Sequence, residues 1–411
     1  MTVRITSEIG VLEHVICHEP GPELSVVTPR NASAYLFDDL LDEETSREEH
    51  RAFRAILDRF CKVSEVSDLL TQVLEIDEAR EYMLARSEEG VREAAEGAQP
   101  AEIARLFIEG KRADIPPARG LTLSKLLNER GYLLPPLPNL FFTRDAACVI
   151  GDHALIAAMA HEVRWTEELI MRALFGFHPA LATAGMIHDQ VEKRRLNTSV
   201  ECGDVHVLRE DLLLVGLSER TSAAGIGLLA EAVFEKTKVR DVLVVLLPRE
   251  RAAIHLDMIF TMLDRDLCCV YPPHFSGPTR LPVIHLSRGD DSAHERDALF
   301  PALHDVGLPL EPIFCGGPRR TQQEREQWGS GCNMFAVAPG QVIAYVRNDE
   351  TIAALERDGG FRHVRAETLS ATDDVPMDGR AVYTFRGSEL VRGGGGPRCM
   401  TLPVLRRDVE W

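Results

Sequence analysis

The side chains with chemical potential in this chain recur at one phase of a repeating pattern. Asp145 in FFTRD, Glu201 and Asp204 in ECGD, and His255 and Asp257 in IHLD each stand just ahead of a pair of apolar runs; Cys399 in GGGGPRCM opens the last run. A cysteine attacks an electrophilic carbon as the thiolate, and an imidazole moves the protons such a reaction needs. Carboxylates gathered around them suit a planar, delocalised cation. His255 and Asp257 flank Leu256, and on a strand both side chains would point to one face. Arg398 beside the thiol, and the tract Gly393 to Gly396 before it, predict an accessible cysteine of lowered pKa. Arg164 and Arg220 each lie just past a hairpin, where a two-pronged contact to a carboxylate is open to them.

Three functions fit these residues. In the first, a thiol nucleophile and a histidine act on a guanidinium held by carboxylates. In the second, His255, Asp257, Glu201 and Asp204 bind a divalent metal for hydrolysis and Cys399 is incidental. In the third, the repeats form a binding platform without catalysis. One clear histidine is a poor ligand set for zinc, whereas acids beside a thiol suit a delocalised cation.

The elements that must position these residues repeat as a hairpin, an amphipathic helix and a third strand. The clearest copy begins at Asp204: VHVL and LLLVGL flank Arg209-Glu210-Asp211, a helix capped by Thr221 follows, and DVLVVLLP closes it. Further copies run from Asp257 (with a helix near Ser292 to His304), from Asn333, and from near Asp145. The fifth joins GVLEHVICHEP, a helix near Thr45 to Phe60 and VSEVSDLL to the last strand from Met400. Five copies predict an α/β fold, a ring of ββαβ modules about an axis, so that equivalent ends converge on one face. Residues 71–130 break the pattern. Their apolar positions recur at i, i+3 and i+4, which predicts a helical insertion within a single catalytic domain spanning residues 1–411. Pro135, Pro136 and Pro138 end it and stiffen the approach to Asn139.

Composition narrows the partners. The 411 residues are 45% hydrophobic and 27% charged, which excludes a disordered chain, a collagen or a disulfide scaffold. The longest apolar runs (Val242 to Leu247, Leu212 to Leu217) fall far short of the roughly 20 residues that span a bilayer. MTVRITSEIG lacks the apolar core of a secretory signal. Nine cysteines without CxxC spacing read as reduced thiols, so a cytoplasmic enzyme is expected. Lys plus Arg total 46 against 64 acids, a net charge of −18. Such a surface repels nucleic acid and fits a small cationic substrate.

At this point the sequence resembles the arginine deiminases of the guanidino-group-modifying superfamily. The shared strings are TPRN and YLFDD, LPNLFFTRD, ECGDV, GLSERTS, AAIHLDMIFTMLDRD, REQWGSGCN and GPRCM. The resemblance covers nearly the whole chain and implies a five-bladed α/β propeller, the pentein fold, with an inserted helical domain. It implies hydrolysis of L-arginine to L-citrulline and ammonia, without metal or organic cofactor, in a homo-oligomer (dimer or tetramer). By the same resemblance Cys399 is the nucleophile, His255 the acid/base, Glu201 its partner, and Asp145 and Asp257 the guanidinium carboxylates. Arg164 and Arg220 resemble the pair that grips the substrate carboxylate, and Asn139 a further substrate contact. A related guanidino hydrolase or amidinotransferase acting on a modified arginine is the alternative. Three departures stand out. Gly394 replaces a usual arginine, Cys202 a usual glycine, and VRWTEE lacks a second basic residue beside Arg164.

Overall fold

The computed structural model describes residues 2–113, 131–187, 198–366 and 379–411. Five sheets share one plan, an antiparallel hairpin whose second strand pairs in parallel with a third. Ala147–Ile150 and His153–Ile156 are joined by Gly185–Met186. Val205–Arg209 and Leu212–Leu217 are joined by Asp241–Leu246. Phe260–Met262 and Leu267–Val270 take Glu311–Phe314, and Phe335–Ala338 with Gln341–Tyr345 take Ala381–Phe385. In the fifth sheet Leu12–Cys17 pairs antiparallel with the C-terminal strand Leu402–Arg406 and parallel with Lys62–Glu65. The two ends of the chain therefore complete one module.

A parallel third strand requires a crossover, and a helix supplies it in each module. These helices are Glu43–Leu57, Trp165–Phe177, Ala223–Lys236, Leu299–Asp305 and Asp349–Gly359. Hairpin strands buried along nearly their whole length, such as Leu212–Leu217 and Gln341–Tyr345, build the core from both faces.

Three local expectations change. The cap of Ala223–Lys236 is Ser222, whose hydroxyl accepts from the Gly225 N–H; the Thr221 hydroxyl accepts from the Glu201 N–H instead. The helix expected from Ser292 begins at Leu299, because no apolar stripe precedes that residue. His294–Arg296 is instead a strand paired with Val283–Ser287, which widens the neighbouring sheet to five strands. In VSEVSDLL the strand ends at Glu65 and a helix, Val66–Leu74, begins, burying Val66, Leu69, Leu70, Val73 and Leu74 at helical spacing.

That helix is followed by Asp77–Ala85, Glu89–Ala95 and Pro100–Glu109; the segment LTLSKLLNER lies outside the described residues. Val66–Leu74 and Asp77–Ala85 pack on Trp165–Phe177 and so brace the helix that Arg164 precedes. Among the described residues no helix is long and apolar enough to cross a membrane.

Candidate active site

Each module delivers its reactive residue from a short turn just ahead of its hairpin. Asp145 lies in the turn Thr143–Ala146, Glu201 precedes Cys202–Asp204, and His255 precedes Leu256–Met258. His255 and Asp257 thus belong to a tight turn and not to a strand. Gly203 permits the approach of two of these turns: a Cβ there would lie 2.5 Å from His255 Nδ1 and 3.1 Å from Asp145 Oδ1.

The turns converge. His255 Nε2 is 2.9 Å from Glu201 Oε2, and Nδ1 is 3.6 Å from Asp145 Oδ1. Burial alone would lower the His255 pKa. The Asp145 charge, the Glu201 hydrogen bond and Asp204 outweigh burial and raise it to about 9, so the imidazole is protonated at neutral pH. Glu201 is buried, yet Arg220, His255 and Arg164 hold its carboxyl well below the usual range. Asp204 does not reach the centre. Its oxygens accept from Ser218 Oγ at 2.6 Å and the Leu256 N–H at 2.8 Å, so it fixes the turn that carries His255. Burial raises it to about 7.

Cys399 is buried, not accessible as expected. Burial pushes its thiol well up, and the Asp257 and Asp145 charges add to the effect. Arg398, the cation expected to lower it, is spent elsewhere: Nη1 donates to Asp257 Oδ2 at 2.9 Å, and Nε and Nη2 fork onto Glu8. Sγ stands 3.5 Å from Asp257 Oδ2. The sequence reading missed Asn333. Its amide nitrogen donates to Cys399 Sγ at 3.1 Å, and its Oδ1 accepts from the Cys399 N–H, also at 3.1 Å. The phase rule could have found it, since Asn333 occupies in its module the place that Asp145 and Asp257 occupy in theirs. Cys202, the unusual neighbour of Glu201, is a free buried thiol in hydrogen-bond contact with the thiol of Cys148.

The expected arginine pair divides in two. Arg164 is buried and committed: Nε and Nη2 bind the two oxygens of Glu167 at 2.9 and 2.7 Å, and Nη1 binds Asp145 Oδ2 at 2.7 Å. Arg220 makes only long contacts, 3.4 Å each, to Glu201 and Glu219. Asn139 lines the same cavity as Asp145, Arg220, His255 and Cys399, and its side chain donates to the Tyr35 carbonyl at 2.9 Å.

What remains open defines the chemistry. Oδ1 of Asp145 and Oδ1 of Asp257 are both buried and have no hydrogen-bond partner, while the other oxygen of each is held by Arg164 or Arg398. A buried acceptor left unmade costs about 1–3 kcal/mol, more when charged. Two such acceptors beside a thiol select a ligand with several N–H donors and positive charge. Ligand atoms of Asp145, Glu201 and His255 also lie within 4.8 Å of one another, as a metal would require. Asp257, named in the metal reading, is not in that group. Arg164 and Arg220 already face the acids of the set, and a dication would be placed against those cations.

Five ββαβ modules that deliver their lead-in turns to one centre are the plan of the penteins. Solved structures of that class share this fold: an amidinotransferase from Microseira wollei (TM-score 0.55, 15% identity, covering 99% of this chain and 98% of that one), and dimethylarginine dimethylaminohydrolase from Pseudomonas aeruginosa (0.51, 16%, 95% and 99%). Within this class the chain belongs to the arginine deiminase family, whose model matches residues 33–406. Relatives named arginine deiminase include those of Rhodococcus erythropolis, 33% identical with 98% of this chain and 97% of the relative covered, and Listeria welshimeri, 32% identical with 99% of each covered.

Proposed function

We propose that the protein hydrolyses free L-arginine to L-citrulline and ammonia, with Cys399 as nucleophile and His255 as acid and then base. The open Oδ1 atoms of Asp145 and Asp257 carry this reading, because a guanidinium supplies the N–H donors that both lack, on a cation that suits a site rich in carboxylates. Bound there, the cation offsets the two acids that hold the Cys399 thiol up, so substrate itself favours the thiolate.

The thiolate attacks the central guanidinium carbon and forms an S–C bond as the C=N electron pair moves to nitrogen. Protonated His255 gives its proton to the departing nitrogen, the C–N bond breaks and ammonia leaves. Neutral His255 then takes a proton from water. The resulting hydroxide adds to the same carbon, and collapse expels the Cys399 thiolate, releases the hydroxyl proton to the departing ammonia or solvent, and leaves the ureido carbonyl of citrulline. Glu201 keeps the imidazole oriented and favours its charged form.

The substrate's amino-acid end would meet Asn139 and Arg220. Arg164 serves as a positioning residue that presents Asp145. A cytoplasmic homo-oligomer working without cofactor belongs to the same reading, and the nine free thiols support a reducing compartment. Mass spectrometry of products from arginine, agmatine, guanidinoacetate and methylarginines tests it. The expected result is citrulline from arginine only, insensitivity to chelation, and loss by several orders of magnitude in Cys399→Ser. Activity lost to chelator and restored by a divalent ion would establish the metal reading instead.

A further inference from the structure

A cavity of about 250 Å³ lies outside the catalytic one, and Arg251 and Gly394 belong to the walls of both. Four arginines line it, Arg251, Arg325, Arg347 and Arg392, against two acids, Asp38 and Asp39. Both acids are engaged: Arg251 Nε donates to Asp38 Oδ2 at 2.6 Å, and Arg392 Nε to Asp39 Oδ2 at 2.9 Å. Arg325 and Arg347 are exposed, and among the described residues neither side chain makes a hydrogen bond or ion pair. The walls therefore carry two cations in excess, on a chain whose net charge is −18. Such a local reversal of sign draws an anion to this place on an otherwise acidic surface.

An aromatic face stands beside the free cations. Trp328 also lines the cavity and is 55% exposed, an indole that packing does not account for. Arg325 and Trp328 lie three residues apart on the helix Arg320–Trp328, so they share one face. Arg347 follows the strand Gln341–Tyr345. Its neighbour Asn348 is buried and donates through Nδ2 to the carbonyl of Gly329, next to Trp328, at 3.0 Å. That bond ties the turn carrying Arg347 to the end of the helix carrying Arg325 and the ring. Two guanidinium groups call for about two negative charges on one group, which a phosphate monoester carries at neutral pH and a carboxylate does not. An exposed indole stacks a flat, aromatic base. The volume lies near the lower end of small-ligand pockets and suits one mononucleotide.

We propose that this outer cavity binds a nucleoside monophosphate, with the phosphate between Arg325 and Arg347 and the base against Trp328. None of these three residues takes part in arginine turnover as derived above, so the site stands apart from the deiminase reading. A ligand held there lies against Arg251 and Gly394, the wall that the two cavities share.

Titration calorimetry of the full chain with AMP, adenosine and inorganic phosphate tests the proposal. AMP should bind at least about tenfold more tightly than either fragment, since it alone meets the cations and the ring together. Arg325→Ala and Arg347→Ala should each weaken AMP about tenfold, through loss of one charge-assisted contact, and leave adenosine unchanged. Trp328→Ala should weaken AMP and leave phosphate unchanged, and Trp328→Phe should recover part of the loss. Three results would each overturn the proposal: no binding of AMP at about 10 mM, equal affinity for AMP and phosphate, or full AMP affinity in the double variant Arg325→Ala, Arg347→Ala. No arginine turnover is read, so these outcomes are independent of whether the chain is a deiminase.

Discussion

Asn333 holds Cys399 by two atoms at once, its Oδ1 on the Cys399 N–H and its Nδ2 on Sγ, each at 3.1 Å. Nδ2 also donates to the Asp257 carbonyl at 3.1 Å, so one amide ties the proposed nucleophile to the turn that carries Asp257. A neutral donor on sulfur favours the thiolate without adding charge to a buried site.

Asn333→Asp replaces that donor with an acceptor of like charge. The alkylation rate of Cys399, followed against pH, should shift to higher pH, and kcat should fall by about 10²-fold, as when a single oriented donor is lost from an active site. Asn333→Ala should lose less. Equal alkylation profiles in wild type and Asn333→Asp would remove Asn333 from the machinery.

The histidine sets the alkaline limit. Its folded-state pKa of about 9 lies above the ordinary 6.5, so the general acid is present through neutrality and is lost as pH rises through about 9. Glu201→Gln should move the alkaline limb of kcat towards acid by more than one pH unit, because burial then acts with less opposition. Stability follows the same sign: the contribution is complete below about 6.5 and lost as pH rises through about 9. It is on the order of 3 kcal/mol at most. Histidine NMR titration of wild type and Glu201→Gln reads both shifts.

The two arginines should separate by assay. Arg164→Ala leaves Glu167 and Asp145 as buried acids without their cation, a loss of about 3–5 kcal/mol in urea unfolding. Arg220 is also buried and is the main cation holding Glu201, but its contacts are long, so Arg220→Ala should cost less stability than Arg164→Ala and raise KM for arginine about 30-fold or more. A large stability loss in Arg220→Ala with KM unchanged would reverse the two assignments.

Gly394 has φ 89°, where a side chain costs roughly 1–2 kcal/mol. Gly394→Arg also places a second guanidinium against Arg251, so it should raise KM for arginine. In Gly394→Arg combined with Arg251→Ala the new side chain takes the vacated place, and kcat/KM should exceed that of Gly394→Arg alone. Steady-state kinetics on the three variants measure the coupling; a double variant no better than Gly394→Arg would show that the two positions share no space.

Sequence alone determined the modules and their phase. Alternating and continuous apolar runs, turn residues and helical stripes are local properties, and they placed Asp145, Glu201, His255, Asp257 and Cys399 at equivalent ends. The helix start at Ser292 is misread because no apolar stripe marks a boundary before Leu299, and VSEVSDLL because a short apolar run fits either period. The same pattern carried Asn333, passed over because an amide does no acid, base or nucleophilic work by itself. Tertiary structure alone decided which groups were already satisfied. Arg398 reaches Glu8, 390 positions away in sequence, and its pull on the neighbouring Cys399 thiol is outweighed by burial and by the Asp257 and Asp145 charges. Arg164 is spent on Asp145, while Arg251 meets Leu36 and Asp38 from a distant turn. A pKa or an open hydrogen-bond site depends on every charge and donor within a few ångströms, and in this fold those neighbours come from different modules.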